Sequence, residues 1–341
     1  MKVGLAIAAA LLLLLAATRL AAFDPLWQRL EYRLTPQPHT PQGWPAPRYT
    51  FADNPVTRRG FALGRKLFYD PLLSRDGSIA CGSCHQQFAG FAHFDHQVSH
   101  GLGGVNGQRN APALSNLAWQ PDFMWDGAAT HLETQPIAPL SNPVEMGETL
   151  ANVLAKLEAS PDYPTLFADA FGSPGIDSQR LFRALAQFTG SLVSSRSRYD
   201  RGELGTTETQ GLAVFRQHCA SCHAEPLFTD YSYRNNGLDA APADAGRARI
   251  SGRAEDSGRF RVPSLRNVAV SGPYMHDGRF DTLDQVLDHY TLGIAASPTL
   301  DAQLRGGVPL TADERAALRA FLDALTDPVF LADPRFAEPA S

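Results

Sequence analysis

Residues 81–85 read CGSCH and residues 219–223 read CASCH, and these two pentapeptides hold every cysteine of the chain: Cys81, Cys84, Cys219 and Cys222. Four cysteines in an exported chain ordinarily suggest two disulfides, and a CxxC pair also serves zinc sites and thioredoxin-like redox centres. The histidine directly behind each pair, His85 and His223, points elsewhere. Two thiols three residues apart reach the two vinyl groups of one macrocycle, and the adjacent imidazole then sits under the iron. Two such segments that use all the thiols specify two covalently attached haems c, with His85 and His223 as iron ligands.

At 341 residues the chain has room for two domains, one per haem. The formal net charge of -5, with both signs mixed along the chain, gives no nucleic-acid footprint and no polybasic membrane patch. The opening MKVGLAIAAALLLLLAATRLAAF has Lys2, an apolar run from Val3 to Ala17 and small residues at Ala21 and Ala22, the layout of a secretory signal over residues 1–22. Leu20 fits the cleavage rule poorly, so an uncleaved anchor is the alternative. The run is shorter than the roughly 20 residues that span a bilayer, and Arg19 interrupts its extension, which favours export with cleavage. Both routes place the body outside the cytoplasm, in the periplasm.

Residues 23–53 form a lead-in whose proline-rich part (TPQPHTPQGWPAPRYTFADNP, 35–55) has no helical or alternating period. A first haem domain is expected over 54–200, opening on a helix capped by Asn54 with Pro55 at its first position. From 81 to 147 glycine, proline and asparagine break every period, as in a functional loop wrapped around a cofactor. Helical periodicity returns at 149–159 and 178–195, and SRSRYDRGELG (195–205) reads as a linker. A second haem domain, 201–338, opens with a capping pair at Thr207 and Gln210; Thr282 with Gln285 and Thr311 with Glu314 cap two further helices. The expected fold is mainly α: two cytochrome-c-like domains with long irregular loops.

The segments GRKLFYDPLLS, QRNAPAL, FMWDGAATHLETQ, NPVEMG, FRVPSLRNVAVSGPYMHDG and TLDQVLDHY together resemble the bacterial di-haem cytochrome c peroxidase family, including its MauG-type branch, over residues 54–338. The resemblance implies a peroxidatic haem on His85 and an electron-transfer haem on His223. It places Glu145 on the distal side of the first haem as the group that moves a proton between the oxygens of hydrogen peroxide. Gln135 matches a distal glutamine that orients peroxide, and Trp125 a tryptophan lying between the haems. Asn110 matches the side-chain ligand of an inter-haem calcium ion, with Ser271 and Pro273 supplying backbone carbonyls.

Two positions decide the branch. Family peroxidases carry a methionine fourteen residues after the histidine of HDG; here the count from His276 reaches Tyr290, the MauG-type pattern, with Met275 as the alternative iron ligand. Members that need reductive activation carry a capping histidine seven residues before the arginine of RNAP; here the count back from Arg109 reaches Leu102. His100, two residues away, is the alternative cap, while His93 and His96 match no family ligand and read as exposed loop residues. The expected activity is reduction of peroxide with electrons from a small monohaem cytochrome c or a cupredoxin. One alternative is a MauG-type enzyme that oxidises side chains of a partner protein; the other is a non-enzymatic di-haem electron carrier. The resemblance also allows a homodimer.

Overall fold

A computed structural model describes residues 39–94 and 96–339; the expected export signal, residues 1–22, and the lead-in up to residue 38 lie outside them. The longer helices are α1 (Arg58–Tyr69), α2 (Leu150–Ala159), α3 (Tyr163–Phe171), α4 (Ser178–Thr189), α5 (Thr206–His218), α6 (Leu283–Asp288) and α7 (Ala312–Asp323). Strand structure amounts to β1 (Tyr233–Arg234) paired antiparallel with β2 (Phe260–Arg261). The mainly α expectation holds, and most of residues 81–147 is short turns between the two helical groups. Among the described residues no helix is long and apolar enough to cross a membrane.

Two helix crossings build the frame, and each turns on a glycine. In α1, a Cβ at Gly64 would lie 1.9 Å from the Ala184 carbonyl oxygen of α4; in α5, a Cβ at Gly211 would lie 1.9 Å from the Ala317 carbonyl oxygen of α7. Only glycine lets the backbones approach this closely. Around the first crossing Phe61, Leu67, Phe68, Phe91, Leu181 and Phe188 form a buried cluster, which Phe330 and Phe336 complete from far along the chain. Around the second, Phe215, Phe228, Leu283, Leu318 and Phe321 form another.

Local expectations are corrected at three points. Thr57, not Asn54, caps α1, its hydroxyl accepting from the Gly60 amide at 2.9 Å. Asn54 is buried and spent elsewhere: it donates to Tyr49 Oη and the Arg183 carbonyl and accepts from Gln187 Nε2. The helix expected over 178–195 ends at Thr189, after which Ser191 to Ser195 run beside Asn116 and Asp327. The α5 cap is Gly205 with Glu208, whose carboxylate accepts from the Gly205 amide at 2.7 Å, two residues ahead of Thr207 and Gln210. The capping pairs Thr282/Gln285 and Thr311/Glu314 and the Thr149 cap of α2 stand as expected.

The described part of the lead-in, residues 39–53, has no regular element, as its composition implies, yet it is packed. Arg48 and Tyr49 donate to the Ala118 carbonyl, Trp119 Nε1 donates to the Pro45 carbonyl, and Trp44 lies edge-on to Trp119. Trp44 also covers the guanidinium of Arg266, whose carbon is 4.4 Å from the ring centroid. The linker at 195–205 is likewise anchored: Asp200 accepts from both terminal nitrogens of Arg266 at 2.8 Å, and that arginine is fully buried.

Candidate active site

All four cysteines are unpaired, which removes the disulfide reading. Burial pushes the thiols of Cys81 and Cys219 up to about 12 and that of Cys84 up to about 11, so they are neutral thiols suited to addition across a vinyl group and unsuited to zinc as thiolates. Each neighbouring histidine is held in one tautomer. His85 Nδ1 faces the Phe91 carbonyl at 2.9 Å, and His223 Nδ1 faces the carbonyls of Phe228 and Pro263, each at 3.1 Å. A proton fixed on Nδ1 leaves Nε2 as the free donor for iron. Burial holds His85 down to about 4 and lowers His223, so both imidazoles are neutral. These residues fit two haems c.

The two attachment segments are parts of a duplicated plan. APALSNLAWQPDFMWDG (111–127) and VPSLRNVAVSGPYMHDG (262–278) align without a gap. Asn116 and Asn267 both take a left-handed turn at φ 60° and 59°, as do Met124 and Met275 at 70° and 75°, and Phe123–Ala129 and Tyr274–Phe280 close equivalent bridges. Pro112 bears on His85 as Pro263 does on His223. The register makes Trp125 the counterpart of His276, and the repeat is written in the sequence itself.

Near the first segment, residues 99–105 lie against 142–147. A Cβ at Gly101 would fall 2.0 Å from the Val144 carbonyl oxygen, and the Leu102 amide donates to the Glu145 carbonyl at 3.1 Å. Leu102, at the counted position of the capping histidine, is thus set directly beside Glu145. Burial raises the Glu145 carboxyl, while the Asn142 amide, 2.8 Å from Oε1, acts in the opposite direction. Gln135 is half-buried on the other side of the short helix Ile137–Ser141, its Nε2 4.0 Å from Met124 Sδ. The His100 ring does not join this group: its centroid is 4.8 Å from that of His96 and 5.5 Å from that of His93, and its carbonyl accepts from Cys84 Sγ.

The second segment opens onto an apolar cavity lined by Cys219, Cys222, His223, Met275 and Tyr290. Tyr290 sits on a π-helical turn, His289–Gly293, a local widening common at functional sites. Asn236, which sequence reasoning missed, stands between the two candidate ligands. Its Nδ2 is 3.3 Å from Met275 Sδ, and its side chain also hydrogen-bonds the Tyr290 phenol.

Trp125 lines the same cavity, nearly buried, with Nε1 donating to the Asn110 carbonyl at 2.7 Å. The Asn110 amide nitrogen is 2.6 Å from the Pro273 carbonyl oxygen, while its Oδ1 is buried without a hydrogen-bond partner. Ser271 lines the cavity too, and its hydroxyl turns back to the Val268 carbonyl, leaving only its backbone to act as a ligand. Arg109 locks this corner, bridging Asp126 and Asp244 at 2.7 Å each.

Two haem-attachment segments, each with an oriented imidazole, and one half-buried carboxylate beside the first define a di-haem c-type oxidoreductase. The family model for di-haem cytochrome c peroxidases matches residues 58–208. The methylamine utilization protein MauG of Methylorubrum extorquens is 38% identical over 283 residues, 80% of this chain and 79% of that protein. The cytochrome c551 peroxidase of Nitrosomonas europaea is 32% identical over 77% of this chain and 79% of its own length. A solved structure of a MauG-like protein associated with microbial copper homeostasis superposes with a TM-score of 0.80 at 35% identity, covering 88% of this chain and 98% of the other. The chain belongs to the di-haem cytochrome c peroxidase family, and is a haem-dependent peroxidase.

Proposed function

We propose that this protein reduces hydrogen peroxide to water in the periplasm, drawing electrons from a small monohaem cytochrome c or a cupredoxin. The observation that carries this reading is the half-buried Glu145 carboxyl beside Leu102, where no imidazole stands at the counted cap position. When bound, the haems supply the two electrons that balance H2O2 + 2e− + 2H+ → 2H2O. Glu145 takes the proton from one peroxide oxygen and returns it to the other, and the partial burial that raises its pKa makes it a stronger base for the first of these transfers. Asn142 fixes the Oε1 of that carboxylate, and Gln135 orients the peroxide. Trp125 couples the haem on Cys81 and Cys84, within residues 54–200, to the haem on Cys219 and Cys222, within 201–338. Asn110 Oδ1 with the carbonyls of Pro273 and Ser271 forms the calcium site; turning the Asn110 amide over points its orphaned oxygen toward the Pro273 carbonyl, an arrangement that a cation between them stabilises.

Steady-state turnover of peroxide with a reduced monohaem cytochrome c tests the reading, together with electron paramagnetic resonance of the oxidised protein before and after peroxide. A high-spin ferric signal that peroxide abolishes, with cytochrome oxidation, supports it. Two low-spin signals indifferent to peroxide would sink it.

A second reading is favoured by Tyr290 in the second haem cavity and by the relationship to MauG: oxidising equivalents from peroxide pass to side chains of a partner protein. Peroxide consumption with no oxidation of any cytochrome c or cupredoxin distinguishes this outcome.

A further inference from the structure

Three imidazoles converge beside the first attachment segment. The ring centroids of His93 and His96 are 5.2 Å apart, those of His93 and His100 5.5 Å and those of His96 and His100 4.8 Å. One ring nitrogen from each lies within 4.8 Å of the other two. A first-row metal binds imidazole nitrogen at about 2.0–2.1 Å, which puts each ring centroid about 3.2 Å from the ion; at tetrahedral angles the centroids are then about 5.2 Å apart. The three observed separations bracket that value. His93 is 1% exposed, while His96 faces solvent. His100 Nδ1 is buried without a hydrogen-bond partner, a state that loses free energy unless something ligates the atom.

We propose that His93, His96 and His100 form a binding site for a divalent first-row transition-metal ion, additional to the two haems and to the Asn110 corner. Three neutral nitrogen donors suit copper, zinc or nickel and disfavour calcium and magnesium, which select oxygen. Copper(II) binds tightest in the general affinity order, with zinc the common competitor. The solvent-facing His96 leaves the fourth position to water and gives the ion a way in. The loop that carries the trio also rests on the other half of the duplicated plan: a Cβ at Gly278 would fall 1.6 Å from the Gln97 carbonyl oxygen. Metal binding therefore ties His93, His96 and His100 together beside Gln97, which is seated on the turn at 275–278. In this assignment His100 belongs to the trio and not to the iron of the first haem.

The test is isothermal titration of the chelator-treated, calcium-replenished holoprotein with zinc sulfate and with copper sulfate, alongside His96→Ala and His100→Ala. His96 is exposed, so its variant keeps the fold; circular dichroism and the Soret band check both variants. The expected result is one tight equivalent in the parent protein, weakened at least about tenfold in each variant, with nitrogen hyperfine structure on the copper resonance signal that the variants lose. Absence of tight zinc and copper binding, or binding that neither substitution alters, overturns the proposal. So does conversion of a low-spin haem to high spin in His100→Ala, which would assign that imidazole to iron. The site does not depend on the peroxidase reading, and none of these readouts measures turnover.

Discussion

Replacing Arg266 with methionine tests how much the buried ion pair that anchors the 195–205 segment contributes to stability. The guanidinium is fully buried, donates to both oxygens of Asp200 and to the Pro226 carbonyl, and lies between the rings of Trp44 and Phe228. Methionine keeps the apolar contacts and removes the charge. Asp200 is then left with the Ser197 amide and hydroxyl alone, and breaking a buried ion pair from one side costs about 3–5 kcal/mol. At about 2 °C per kcal/mol for a chain of this size, the melting temperature falls by roughly 6–10 °C. In the parent protein burial tends to raise the Asp200 pKa, but Arg266 and Ser197 outweigh it and the net shift is downward. A depressed carboxylate contributes stability above its unfolded pKa of about 3.9 and loses it as pH falls through the lower folded value. In Arg266→Met burial dominates, the folded pKa rises, and protonation relieves the unpaired charge. The gap between the two proteins is therefore widest at pH 7 and closes as pH falls toward 4. Thermal melts of the holoprotein at pH 7 and pH 4.5 measure both, with Asp200→Asn/Arg266→Met expected to recover part of the loss. A drop of less than about 1 kcal/mol at pH 7, the worth of an exposed pair, or a gap that widens on acidification would refute the reasoning.

Glu145→Gln is expected to slow reaction with peroxide by about 10²–10⁴-fold while cyanide still binds the first haem, measured by stopped-flow absorbance. Asn142→Ala removes the interaction that lowers the Glu145 pKa, so the loss of peroxide reactivity on acidification moves to higher pH than in the parent protein. Gly64→Ala and Gly211→Ala each place a methyl group 1.9 Å from a facing carbonyl oxygen and should cost about 1–3 kcal/mol or more, read from thermal melts. Tyr290→Phe is expected to change the electron paramagnetic resonance spectrum of the second haem, and Met275→Leu to leave it intact; the reverse pattern would make Met275 the ligand.

The parts of this molecule legible in its sequence are those fixed by neighbours in the chain. Haem attachment needs Cys81, Cys84 and His85 within one turn and a half, so the pentapeptide alone carries it. The caps at Thr149, Thr282 and Thr311 are equally local, each hydroxyl meeting an amide three residues on. Asn54 misled because its amide meets Gln187 and Arg183, more than a hundred residues away, and that pairing outweighs its capping preference. Arg266 carries no local signal of its burial, because Asp200 and Trp44, which close over it, stand far away in the chain. His93, His96 and His100 stand at i, i+3 and i+7, a helical spacing, yet the described residues of this segment form no helix, and it is an irregular loop that brings the rings together. Asn236 has no motif of its own; its place between Tyr290 and Met275 depends on β1 delivering the chain beneath a π-helical turn.

Phe91, six residues beyond His85, contacts both Phe330 and Phe336, with ring centroids 5.7 and 6.5 Å away. The core beside the first attachment segment is therefore closed by rings some two hundred and forty positions further along the chain. A chain shortened before Phe330 leaves Phe91 without both of these neighbours, so the last turn of the sequence is part of the packing of the first half.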